Sequence, residues 1–117
     1  MTTQQPAPRA NLSFLLEQAP EGIRDAWGDF IMSAVLGGPW SREAQLAPKY
    51  RSMITIAALT ALNREHELAL HVRRGLANGL TKDEISEIIM HMAIYGGFPV
   101  AVEGMRTAKE VFDQVKD

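Results

Sequence analysis

Apolar positions recur at helical spacing in five stretches of the chain, and no segment shows the strict alternation of a strand pair. Ile23, Trp27, Phe30, Ile31 and Ala34 form the first stripe. Pro20 precedes it and Gly37-Gly38-Pro39 closes it, which predicts a helix from about Glu21 to Leu36. Pro48 suits the first turn of a second helix, because its missing N–H would find no intrahelical partner there anyway. That helix runs to about Leu62. Its MITIAALTAL run is apolar nearly all round, which predicts a central, buried helix. MITIA alone would pass as a short strand, but its helical continuation outweighs that. Asn63 suits a left-handed cap. A third helix is expected from Arg64 to Ala77, with Leu68, His71, Val72, Gly75 and Leu76 near one face and Asn78-Gly79 stopping it. Thr81-Lys82-Asp83-Glu84 reads as a capping box that opens a fourth helix, Lys82 to Tyr95, with Ile85, Ile88, Ile89 and Met92 facing inward. Gly96-Gly97 breaks it, and Pro99 starts a fifth helix to about Val115. The connection from Trp40 to Leu46 has room for one helical turn. The fold class is therefore all-α, with five main helices and one short one.

A length of 117 residues suits a single domain. Residues 1–11, MTTQQPAPRAN, are polar and carry two prolines, so they are expected to form a disordered tail, leaving 12–117 as one helical domain. A chain this short can bury a moderate core but has little surplus for a deep pocket of its own. The formal net charge is -2 and the longest basic run is Arg73-Arg74, which argues against a nucleic-acid partner. The absence of cysteine excludes disulfides, thiolate catalysis and zinc–thiolate sites. No basic-plus-apolar leader occurs, and no apolar run reaches the ~20 residues of a membrane span, so a soluble cytoplasmic protein is expected.

The candidate chemistry lies between Arg51 and Arg106. Glu67 and His71 stand four apart on the third helix, so their side chains meet on its surface. A carboxylate beside an imidazole fixes its tautomer and raises its basicity, a common preparation for a general base. The plain alternative is a surface ion pair. His91 and Tyr95 stand one turn apart on the fourth helix, just before Gly96-Gly97, where backbone could approach a ligand closely. The plain alternative there is a satisfied core or interface histidine and a helix–helix turn. His66 points away from His71 and is expected to be exposed. His66 and His71 are five apart, not the three or four that align ligands on a helix, so no metal site is expected. Trp40, Arg42 and Arg51 flank the start of the second helix. Arginine forks suit carboxylates, although structural salt bridges and a core tryptophan would account for the same residues.

Taken together, Trp40-Ser41-Arg42, Arg51-Ser52-Met53-Ile54-Thr55-Ile56-Ala57, Glu67-Leu68-Ala69-Leu70-His71, Asn78-Gly79-Leu80-Thr81 and His91 through Tyr95-Gly96-Gly97-Phe98-Pro99 resemble the carboxymuconolactone decarboxylase family, within the alkylhydroperoxidase D-like superfamily. The peroxidase branch of that superfamily carries a Cys-x-x-Cys pair with a histidine four residues on. Here those positions read Arg64, Glu67 and His71, so peroxidase activity is not expected. Three features depart from the family pattern. A proline-containing segment replaces its glycine–aspartate motif ahead of the first helix, Asn63 replaces the usual glycine before the Arg64 helix, and Gly97-Phe98 sits where a smaller or aliphatic pocket residue is common.

The resemblance implies an alkylhydroperoxidase D-like helical bundle that assembles as a homotrimer or homohexamer, with sites near subunit contacts. It also implies cofactor-free decarboxylation of 4-carboxymuconolactone or a related unsaturated carboxylated lactone in aromatic catabolism. In such a substrate the leaving carboxylate is conjugated through the ring to the lactone carbonyl, so the molecule is its own electron sink. His71, oriented by Glu67, is the expected proton donor–acceptor. His91 would donate to the lactone oxygen or steer a carboxylate, with Tyr95 as a second candidate. Arg51 or Arg42 would clamp the other carboxylate, with Trp40 beside them. Two rivals fit the same residues: a cis–trans or double-bond isomerase of a carboxylated ring-cleavage product such as a dienoic acid, and a non-catalytic oligomeric small-molecule binder.

Overall fold

The computed structural model describes residues 13–115. The expected tail, 1–11, lies outside the described residues. Among those residues every regular element is helical. The chain divides at Gln45/Leu46 into two compact units.

The first unit contains α1 (Ser13–Glu17), a 3-10 turn (Glu21–Ile23) and α2 (Arg24–Ile31). A π-helical turn (Met32–Leu36) and a 3-10 turn (Pro39–Ser41) follow. The helix expected over Glu21–Leu36 thus exists, but in three successive windings. Its end is loosened by the π turn, where the Gly37 amide donates to the Met32 carbonyl. Arg24 ties the preceding loop down, donating from Nη2 to the Ala19 carbonyl at 2.9 Å. The expected apolar stripe is only partly covered: Ile31 is buried, whereas Ile23, Trp27 and Phe30 are exposed. The turn expected between Trp40 and Leu46 lies slightly earlier, at Pro39–Ser41.

The second unit is a four-helix cluster of α3 (Pro48–Ala61), α4 (Glu65–Ala77), α5 (Lys82–Tyr95) and α6 (Phe98–Gln114). α3 packs on all three others, and α6 packs on α4 and α5. Local signals set the boundaries. Pro48 and Pro99 occupy first turns. Asn63 turns the chain at φ 58°, and Gly97 does so at φ 108°. The capping box forms in both directions: the Glu84 amide donates to Thr81 Oγ1 at 3.0 Å, and the Thr81 amide donates to Glu84 Oε1 at 2.9 Å. The core is Ile56, Leu68, Val72, Leu80, Ile85, Ile89, Ala101, Ala108 and Val111.

The expectation of an evenly buried central helix needs correction. α3 buries one stripe, Ser52, Ile56 and Thr60, while Ile54 and Leu62 stay exposed. Three packed neighbours cannot cover the whole circumference of a helix. The stripe includes two hydroxyls because each finds an internal partner. Thr60 Oγ1 donates to the Ile56 carbonyl at 2.8 Å, and Asn78 Nδ2 donates to Ser52 Oγ at 3.0 Å.

Gly104 sets how closely α6 approaches the core. A β-carbon there would stand 3.1 Å from both Ile89 Cγ2 and Thr60 Cγ2. Those methyls sit on β-branched side chains that are stiff in helices. Gly104→Ala is therefore expected to lower stability by about 1–2 kcal/mol in urea denaturation, overpacking outweighing the gain in helix propensity. Gly75→Ala should cost less. Its clashes, at 3.0 Å, are with the terminal Cδ1 atoms of Ile56 and Leu80, which can swing away.

Candidate active site

α4 carries the first group of candidate residues. Its buried stripe is Leu68, Val72 and Gly75. At 100° per residue, His71 falls at the edge of that stripe, and Glu67 and Arg74 fall further out on the same side. Burial follows this order: His71 is half-buried and Glu67 exposed. Nδ1 of His71 is buried and has no hydrogen-bond partner among the described residues. The carboxylate therefore does not lock the ring through a hydrogen bond, contrary to what the spacing suggests. Nor does it make His71 more basic overall. Burial, and then the Arg74 guanidinium, push the imidazole below its ordinary value near 6.5, and Glu67 only partly opposes them. His71 thus favours the neutral form.

α5 carries the second group. The rings of His91 and Tyr95 lie 5.0 Å apart, centroid to centroid, tilted by 39°. Both side chains are exposed, so His91 is not the satisfied core histidine of the plain alternative. His91 lines a groove of about 730 Å³ between α3, α5 and α6, together with Met53, Ile54, Ile88, Met92 and Phe98. The charged side chain in that lining is Glu87. An apolar groove edged by a carboxylate is a poor place for a dianion.

His71 is not part of this groove. The two histidines therefore belong to different surroundings: one at the edge of the core on α4, the other on an open apolar surface. Arg51 lies on α3 next to Ser52, with its Nε buried. It is half-buried, and Ser52 is the residue that Asn78 ties to the end of α4. Trp40 and Arg42 belong to the first unit, on and just after its last 3-10 turn. His66 is exposed, as expected. Sequence reasoning missed Arg74. The signal was available, since 67, 71 and 74 share one helical face. Among the described residues, no three His, Asp or Glu side chains converge to hold a metal, and no helix is long and apolar enough to cross a membrane.

The sequence pattern of the carboxymuconolactone decarboxylase family matches residues 26–110, most of the chain. This chain belongs to the carboxymuconolactone decarboxylase family. The match runs across both compact units and includes every candidate residue named above. Among its relatives, the 4-carboxymuconolactone decarboxylase of Acinetobacter baylyi is 45% identical over 84 residues, covering 72% of this chain and 62% of that protein. The nitrosuccinic acid decarboxylase npaB of Metarhizium robertsii is 33% identical over 89 residues, covering 76% of this chain and 62% of its own. An uncharacterized 15.0 kDa protein of Paracoccus denitrificans is 37% identical over 78 residues, covering 65% and 58%. The chain thus spans about three fifths of the length of each of these relatives.

Proposed function

We propose that this protein is a carboxy-lyase acting on 4-carboxymuconolactone or a closely related unsaturated carboxylated lactone. The observation that carries the reading is His71: a half-buried imidazole held toward its neutral form, with a carboxylate and a guanidinium one turn to either side, in a chain 45% identical to a decarboxylase of that name. Both decarboxylase relatives are named for acids that bear two carboxyl groups and an electron-withdrawing function. One carboxylate can leave while the other anchors the molecule.

The chemistry follows from the substrate. The bond from the ring to the departing carboxylate breaks and carbon dioxide leaves. The electron pair moves through the ring double bond onto the lactone's carbonyl oxygen, and the resulting dienolate takes a proton at the carbon next to the carbonyl. His71 supplies that proton and regains one from solvent. A bound dianion favours the imidazolium, so the proton is recruited when substrate arrives.

The working form in this proposal is a homotrimer or homohexamer of single-domain chains. Ile54, Met90, Ile94 and Phe98 of the groove are each more than half exposed, with Ile94 at 70%. Clustered large apolar side chains of this kind mark association surfaces. Assembly would bring Tyr95 and His91, and through a neighbour Arg42 or Arg51, toward a shared site.

A direct assay tests the reading: 4-carboxymuconolactone with purified protein, following carbon dioxide and loss of the lactone chromophore. Turnover is the expected result. Correctly assembled protein that releases no carbon dioxide would overturn it and favour the isomerase, whose product keeps every carbon.

A further inference from the structure

Arg74 lies one helical turn beyond His71, at the spacing that makes side chains neighbours on a helix surface. It is half-buried. The positions one turn from it on its own helix and just beyond are Leu70, His71, Ala77 and Asn78, none of them acidic. Glu67 is seven residues away, roughly 10 Å along the axis, too far to pair with it directly. Among the described residues its guanidinium makes no hydrogen bond and no ion pair. Its neighbour in sequence behaves differently: Arg73 is exposed and donates to Gln114 Oε1 of α6.

Half-burial covers the stem of Arg74; its guanidinium nitrogens, unlike Nδ1 of His71, are not among the buried unpartnered atoms, so an accessible fork stands one turn from the imidazole. A helix dipole would welcome a cation in the last turn of α4, but an exposed position such as that of Arg73 serves that purpose as well. We propose that Arg74 is a carboxylate-binding residue, its planar fork receiving one carboxylate of the substrate while the rest of the molecule lies against His71. This rests on the carboxylated-substrate reading above and adds a residue and a role to it. A guanidinium presents paired donors that match a carboxylate, whereas lysine offers only a point charge. The arrangement also assigns the carboxylates. The one held by Arg74 stays charged and is retained, because ion pairing stabilises it against departure as neutral carbon dioxide. The other, away from Arg74, leaves. Arg74 and Glu67 are the charged groups that act on His71 in the free protein.

The test uses the full chain and succinate, a small dicarboxylate that cannot follow the lactone route. The readout is the His71 ring C–H resonance, assigned by comparison with His71→Ala, titrated with pH and with succinate. In the unmodified protein succinate should shift the resonance and raise the His71 midpoint. In Arg74→Gln the midpoint without ligand should rise, and succinate affinity should fall at least tenfold. Arg74→Lys should keep the helix-end charge but recover only part of the affinity. A merely structural role would lower thermal stability in Arg74→Gln and leave the succinate response intact, and that result would overturn the proposal. A response to succinate in Arg74→Lys equal to that of the unmodified protein would also overturn the fork, since a point charge would then suffice. The outcome separates from that of the decarboxylase reading. Succinate binding through Arg74 without carbon dioxide release sinks the activity and keeps the site. Release that needs His71 but survives Arg74→Gln with unchanged KM does the reverse.

Discussion

His71→Ala should reduce carbon dioxide release from 4-carboxymuconolactone by roughly 10²–10⁴-fold, the usual contribution of a positioned general acid or base. The effect should fall on kcat more than on KM, because the imidazole acts on the developing carbanion and not on the resting carboxylates. Glu67→Gln should cost far less. Glu67 is exposed and does not hold the ring by a hydrogen bond; it only raises the proton affinity of His71 through space. Its removal should therefore move the alkaline limb of the pH–rate profile, where the imidazolium loses its proton, to lower pH. Stability supplies an independent check. The folded-state value of His71 lies below its ordinary one near 6.5, so the unfolded chain binds the proton more readily. The stability owed to the neutral ring is present above about 6.5 and is lost as pH falls through the folded value. His71→Ala should flatten that part of the stability curve. If the alanine variant keeps turnover within threefold of the unmodified protein, His71 is not the proton donor.

The second large effect concerns assembly. Ile94 is 70% exposed and lines the groove with His91 and Phe98. Ile94→Lys should leave the protomer folded, since substitutions at exposed positions seldom cost more than about 0.5 kcal/mol. It should nevertheless abolish association. Each interface would lose an isoleucine worth about 1.5–3 kcal/mol and would have to desolvate an ammonium group, which together weaken binding by well over ~100-fold. Light scattering after size-exclusion chromatography would read the change in mass. If the site is shared between subunits, carbon dioxide release should disappear with the oligomer while circular dichroism is unchanged. An Ile94→Lys protein with the same mass as the unmodified one would remove this groove as the association surface.

The gains in reading this chain came where the determining forces are local. The Thr81–Glu84 capping box, the prolines in the first turns of α3 and α6 and the left-handed Asn63 each depend on residues within a few positions of one another. They fix where helices begin and turn whatever the helices later pack against. That Glu67 and His71 share one helix face was legible for the same reason, because both residues ride on one helix. The family was legible because its motifs are short and contiguous.

Tertiary structure alone decided which sides of those helices are covered. The MITIAALTAL run is apolar on nearly every side, so its pattern could not distinguish buried Ile56 from exposed Ile54; the placement of three neighbours did. The direction of the His71 shift also needed the fold. A carboxylate four residues away argues for a more basic ring, but burial at the edge of the core and the Arg74 charge prevail. The separation of His71 from the His91 groove is likewise a matter of helix packing. Sequence periodicity says which residues share a face, and only the packed neighbours determine what that face meets.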